Sequence, residues 1–176
     1  FVYNFIKFVE WPNEKSVSQD KPIVIGVVGS QDFIKAFEPA KHKKIKNRAI
    51  TIKYFTGFEA PPQSSDANDQ YWQQRTAALK ACDLLLFCEC HDGRIDLASE
   101  IIRALRDAPV LTIGETAHFL ESGGMINFLM KGKKVGFEIN NDAAKQAKLQ
   151  IRSQLLRLAK RVISEKVASR SINDAN

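Results

Sequence analysis

Three cysteines, three histidines and a glycine pair are the residues whose types could do chemistry. Cys88-Glu89-Cys90-His91 sets two thiols and an imidazole within four positions. All three are metal-ligand types, but structural zinc sites take four ligands, usually from two separated pairs. Cys82, His42 and His118 supply no second pair, so no metal is expected. Cys88 with His91 could also act as nucleophile and base, although cysteine enzymes draw these groups from separate segments. No G-x-S-x-G elbow gives a histidine anything to activate. Glu115 with Glu89 or Asp92 makes a conceivable carboxylate pair at strand ends, but specifies no reaction. The chain is therefore expected to be non-enzymatic, with no catalytic residue and no cofactor.

Two glycine-bearing stretches could instead bind. "GVVGSQDF", residues 26–33, joins an apolar run to a helical pattern, the kind of junction where α/β proteins hold ligands. It lacks G-x-G-x-x-G, and no phosphate-binding G-x-x-x-x-G-K-[ST] occurs. A helix starting near Ser30 could hold an anion through its free N–H groups; alternatively, Gly29 only permits a tight turn. The second stretch is "GGMINFLMKGKKVGFEIN", residues 123–140. Gly123 and Gly124 could cradle a phosphate, or could end a helix and open a hairpin.

Bulk properties narrow the class. The chain has 176 residues, 44% hydrophobic and 26% charged, with a formal charge of +6, the balance of one globular domain. No apolar run approaches the roughly 20 residues of a membrane helix. The densest basic run, "KHKKIKNR" at 41–48, has no interleaved aromatic residues, which argues against single-stranded nucleic acid and for a solvated loop.

The elements that would position these residues alternate. Helical spacing of apolar residues marks "FVYNFIKFVEWP", closed by Pro12. "IVIGVVG", "AITIKYF", "DLLLFCEC" and "VLTIG" read as strands. "SQDFIKAFEPA", "YWQQRTAALKAC", "DLASEIIRALRDA" and "ETAHFLESG" read as the helices between them, and "TGFEAPPQSSDANDQ" as loop. Residues 125–139 read as a hairpin with Gly132 at its turn. Asn140 or Asn141 would cap one last helix, "DAAKQAKLQIRSQLLRLAKRVISEK", with Ile151, Leu155, Leu158 and Val162 as its stripe. That stripe either docks on the sheet or makes part of a dimer contact. The expected fold is α/β: a single layered domain, residues 1–166, with a mostly parallel sheet flanked by helices, then the hairpin and the final helix. Residues 167–176 are expected to fray.

The ordered set "FIKFVEWP", "CDLLLF", "PVLTIGETAHFLESGGMINFLMKGKKVGFEIN" and "AAKQAKLQIRSQLLRLAKRV" resembles the YfiR-like family of periplasmic proteins, from about Phe1 to Val162. The resemblance implies an exported, non-enzymatic regulator whose signal peptide has been removed. It further implies repression of a membrane-bound diguanylate cyclase through its periplasmic portion, which lowers cyclic di-GMP and biofilm formation. A homodimer, no nucleic acid and no membrane span of its own are implied too. Trp11, Pro12, Glu115, Gly123, Gly124, Met125 and Asn127 match the motifs, as fold markers first and possible contacts second. Ser30, Glu115, Gly123, Gly124 and Asn127 are the candidate binding residues. The chain departs from the pattern at Gly136, where arginine is common, and at Lys148, where glycine is. A small-ligand module, with a nucleotide or amino acid near Ser30 and Glu115, is the alternative.

Overall fold

The computed structural model describes residues 2–12, 14, 18, 20–29, 44–55, 65–88, 95–131 and 134–164. The expected helix at 30–40, the Gly132 turn, Cys90, His91 and the tail beyond 164 fall outside them.

Apolar runs of leucine and β-branched residues make the centre of the sheet. β1 is Val9–Glu10, β2 Ile23–Val28, β3 Lys44–Ile45, β4 Arg48–Phe55, β5 Leu84–Phe87 and β6 Leu111–Gly114. β7, Ile126–Lys131, and β8, Lys134–Asn140, form the expected antiparallel hairpin, with Ile126 opposite Ile139 and Asn127 opposite Glu138. β9, Gln150–Ile151, and β10, Val162–Ile163, complete the strands. Eight strands lie in the order β10-β8-β7-β6-β5-β2-β4-β3, while β1 and β9 pair separately. β2, β4, β5, β6 and β7 run parallel, as do β8 and β10; the β7–β8 and β3–β4 pairs are antiparallel. This is the expected α/β fold.

Successive residues of β5 and β6 are buried because helices cover both faces. On one face α1, Val2–Phe8, and the segments after β8 pack on Ile25, Leu84, Leu86, Ile113 and Ile139. Phe5 anchors α1 there, 5.5 Å from the Phe128 ring and 5.0 Å from Phe137, edge-on to the latter. On the other face α2, Ser65–Lys80, and α3, Ile95–Ala104, pack on Leu85 and Phe87 through Leu79, Ile101 and Ile102. No described helix is long and apolar enough to cross a membrane.

Four sequence readings need correction. α2 starts at Ser65, six residues before the expected Tyr71; the small and acidic residues that suggested loop also favour a helix start. Residues 117–123 are successive turns, because His118 takes a left-handed φ of 62° that a helix does not accommodate. The long final helix is two short ones, α4 at Asn141–Gln146 and α5 at Ser153–Leu158, with β9 between them and β10 after. Lys148, at φ 61°, stops the first, and Ile151 leaves helical geometry to pair with Val9. The expected stripe thus splits: Ile151 and Leu155 are buried, whereas Leu158 is 67% exposed. Finally, the described part of the basic run is a hairpin corner. Lys46 and Asn47 both take left-handed φ in the β3–β4 turn, and Arg48 is buried.

Candidate functional site

The carboxyl end of β6 brings most of the candidate residues together. Phe119 folds back there, buried against the Phe87 ring at 5.5 Å. Its ring lies between two glycines. A Cβ on Gly114 would stand 2.5 Å from ring atoms, and one on Gly124 2.3 Å. Gly123 takes φ +96°. The Gly123 N–H donates to the Leu120 carbonyl (3.0 Å) and the Gly124 N–H to that of Phe119 (2.9 Å). That pair is the hydrogen-bond pattern of a glycine-ended helical turn. Both amides are therefore committed inside the turn, and neither is left for a phosphate.

Thr112 and Asn140 hold the chain beyond the turn. The Thr112 hydroxyl, buried in β6, accepts from the Met125 N–H (3.1 Å). Asn140 makes three bonds: its N–H to the Met125 carbonyl (2.7 Å), its Nδ2 to the Leu120 carbonyl (3.0 Å), and its Oδ1 from the Ala143 N–H (3.0 Å). The last caps α4. One asparagine thus ties the glycine turn, the start of β7 and the next helix.

Of the other candidates, Glu115 sits half-buried just past β6. Asn127 is beside Gly114 in β7; it is 7% exposed, and among the described residues its Oδ1 has no hydrogen-bond partner. Ser30 lies outside the described residues. The topology reverses between β2 and β5, where such sheets hold ligands; the segments after those strands, 30–43 and 89–94, lie outside them as well. Among the described residues no three His, Cys, Asp or Glu side chains cluster as metal ligands.

The thiols that are described are inward-facing. Cys82 and Cys88 are buried, on opposite faces of the sheet. Burial pushes the Cys82 thiol up to about 11; Lys53 opposes this and Asp83 adds to it. A neutral thiol is a poor nucleophile at physiological pH.

Sequence reasoning missed a charged clasp at the amino ends of the strands. Arg48 donates to the carbonyls of Lys21 (2.7 Å) and Pro22 (2.9 Å) and lies 3.9 Å from the Asp83 carboxylate. Asp83 in turn accepts from the Val24 N–H, and its carbonyl from the Trp11 indole (3.1 Å). Lys46 bonds the Val9 carbonyl and Glu14 at 2.6 Å each, with its ammonium 5.2 Å from the Trp11 ring. The Trp11-Pro12 motif is a fold anchor. Only the family resemblance, which marked Trp11 and Pro12 as fold markers, signalled it.

On the hairpin's outer side Arg161 bridges Glu138 and Glu121, both at 3.0 Å. The hydrogen bond from Arg161 holds the Glu121 carboxyl below its usual range. Met130, Leu158 and Val162 are the large hydrophobic residues most exposed among those described, at 67%, 67% and 39%; Met130 is in β7, Val162 is in edge strand β10 on the far side of β8, and Leu158 ends α5.

Beside the glycine turn a cleft of ≈ 260 Å³ opens between α3, the start of β7 and α4, lined in part by Gly123, Met125 and Thr112. Glu115 and Asn127 do not line it.

Known proteins share this arrangement at the level of family and fold. The family described as YfiR/HmsC-like matches residues 1–160. No curated protein matches. A solved conserved domain protein from Vibrio cholerae O1 biovar El Tor strain N16961 superposes with a TM-score of 0.57 at 14% identity. The match covers 80% of this chain and 54% of that one, so the chain spans about half of its length. This likeness bears on the fold alone.

Proposed function

The chain belongs to the YfiR/HmsC-like family, and from that premise we propose that it is a periplasmic regulator that docks on, and represses, a membrane-bound diguanylate cyclase. The observation that carries the proposal is the family match across residues 1–160, which takes in both the Trp11-Pro12 anchor and the glycine turn. Proteins of the YfiR-like type are exported and act on the periplasmic portion of such a cyclase; at that level the assignment is one of family. The partner, the lowering of cyclic di-GMP and biofilm formation, and a homodimer are our extension to the present chain.

The geometry gives the extension a surface. Exposed Met130, Leu158 and Val162 border the hairpin and edge strand β10, where apolar side chains gain from being covered. We assign this edge to the homodimer or cyclase contact, with Glu115 as a polar contact at the sheet end. A repressor must favour one conformation of its target. About 5.5 kcal/mol of differential binding swings a two-state equilibrium almost fully.

The test pairs two measurements. Co-purification from membranes should yield a diguanylate cyclase with the wild-type chain and lose it with Met130→Glu/Leu158→Glu. Sedimentation of the same variant reports the homodimer. Recovery of the cyclase at wild-type yield from the variant would remove this surface from the account.

A further inference from the structure

The cleft beside the glycine turn has a composition that docking does not explain. Its floor is apolar, built by Ile102, Leu105, Met125 and Ile163. Arg103, in the last turn of α3, and Arg106, just after it, line the cleft and are exposed. Among the described residues neither guanidinium has an ion-pair or hydrogen-bond partner, in contrast to Arg48, Arg152 and Arg161. The buried Thr112 hydroxyl accepts from Met125 and keeps its own proton to donate.

The other polar groups of the lining are engaged. Asn140 holds the turn and α4, Gln146 donates to Asp107 (3.2 Å), and Ser122 accepts from Ser99 (3.2 Å). Asp142 is the one carboxylate in the lining, against two arginines. What remains available is an apolar floor with two cationic forks and a hydroxyl donor. A guanidinium matches a carboxylate or phosphate with two parallel hydrogen bonds. The volume, ≈ 260 Å³, lies just below the roughly 300–1,000 Å³ of common ligand pockets, and suits a body of about one aromatic ring.

We propose that this cleft binds a small organic anion, a carboxylate or phosphate on a compact apolar body, with Arg103 and Arg106 holding the charge and Thr112 donating beside them. The site is separate from the Ser30–Glu115 region, and the proposal does not rest on the regulator reading. Ligand binding by the purified chain and cyclase repression in cells are read independently.

Titration calorimetry on the full chain tests it with benzoate, phenyl phosphate, neutral benzamide and cationic benzylamine. Benzoate or phenyl phosphate should saturate the protein, and whichever binds more tightly identifies the acid class. Benzamide should bind at least about tenfold more weakly, the worth of one charge-assisted hydrogen bond, and benzylamine not at all. Arg103→Gln/Arg106→Gln alters two exposed side chains and should leave the circular dichroism unchanged while weakening the anion about tenfold or more. Lys160→Gln, a cation outside the cleft, should not change the affinity. Amide NMR shifts on titration should centre on Gly123, Met125 and Asn140. The proposal is overturned if neither anion saturates at millimolar concentration, if benzamide matches benzoate, or if the double arginine variant binds as wild type.

Discussion

Residues 119–124 and 144–149 form the same turn from different amino acids. In the first, the Gly124 N–H reaches the Phe119 carbonyl and the Gly123 N–H that of Leu120; in the second, the Leu149 N–H reaches Ala144 and the Lys148 N–H reaches Lys145. The four bonds span only 2.9 to 3.0 Å. The residue with positive φ is Gly123 at 96° in one and Lys148 at 61° in the other. Hydrogen bonding therefore fixes the shape, and residue type fixes its cost. Lysine in the left-handed region costs about 1–2 kcal/mol more than its usual conformation. Burial of Leu149, to 2% exposure, offsets that cost, since a fully buried leucine contributes about 1.5–3 kcal/mol. The first turn has a second constraint that the second lacks, the Phe119 ring pressed on Gly124.

The contrast breaks most visibly at Gly124. Gly124→Ala places a Cβ 2.7 Å from the Phe119 carbonyl oxygen as well as against its ring, and should cost about 3 kcal/mol by urea denaturation. A loss below about 1 kcal/mol would mean that the ring yields freely and that the two turns differ less than their contacts imply. Asn140→Ala, which severs the tie from the first turn to α4, should cost about 2 kcal/mol, a cap plus a side-chain hydrogen bond. Gly123→Ala should cost about 1 kcal/mol from backbone strain. Lys148→Gly should act in the opposite direction, stabilising by about 0.5 kcal/mol, because relief of strain exceeds the added freedom of the unfolded chain. Destabilisation by Lys148→Gly would show that the lysine side chain, not the backbone, holds that turn.

The smallest effect concerns charge. Among the described residues only the first turn carries an ion pair of this kind, Glu121 with Arg161. Because the folded carboxyl sits below its ordinary 4.5, its contribution is present above that pH and fades as the pH falls through the folded value. Both groups are exposed, so the melting temperatures of wild type and Arg161→Ala should differ slightly at pH 7 and converge as the pH falls through the folded value. A gap that persists at low pH would assign the effect to packing.

The same two turns show what the sequence makes legible. Glycines at 123 and 124 announced a helix-type ending and a hairpin, and the strand runs were readable because β-branched and leucine residues filled consecutive positions. Lys148 announced nothing by its own type; only the family resemblance marked its position, as one where glycine is common. Its neighbours keep helical spacing, so the segment reads as one helix until Ile151 finds Val9, over 140 residues away in sequence. Likewise the buried Arg48 sits in a run that looks solvated, and only its partners at Lys21, Pro22 and Asp83 account for its place. The cleft combines α3, the start of β7, α4 and β10, an assembly that no local pattern encodes. Glu115 and Asn127 were legible only as residues matching the family motifs; the commitment of both glycine amides was not legible, since it depends on how Phe119 folds back.

Cyclic di-GMP measured in cells lacking this chain, and again after its reintroduction, bears most directly on the regulator account. The account predicts a rise on deletion that the wild-type chain reverses and Met130→Glu/Leu158→Glu does not. Unchanged cyclic di-GMP on deletion, in cells that express the chain, would contradict it.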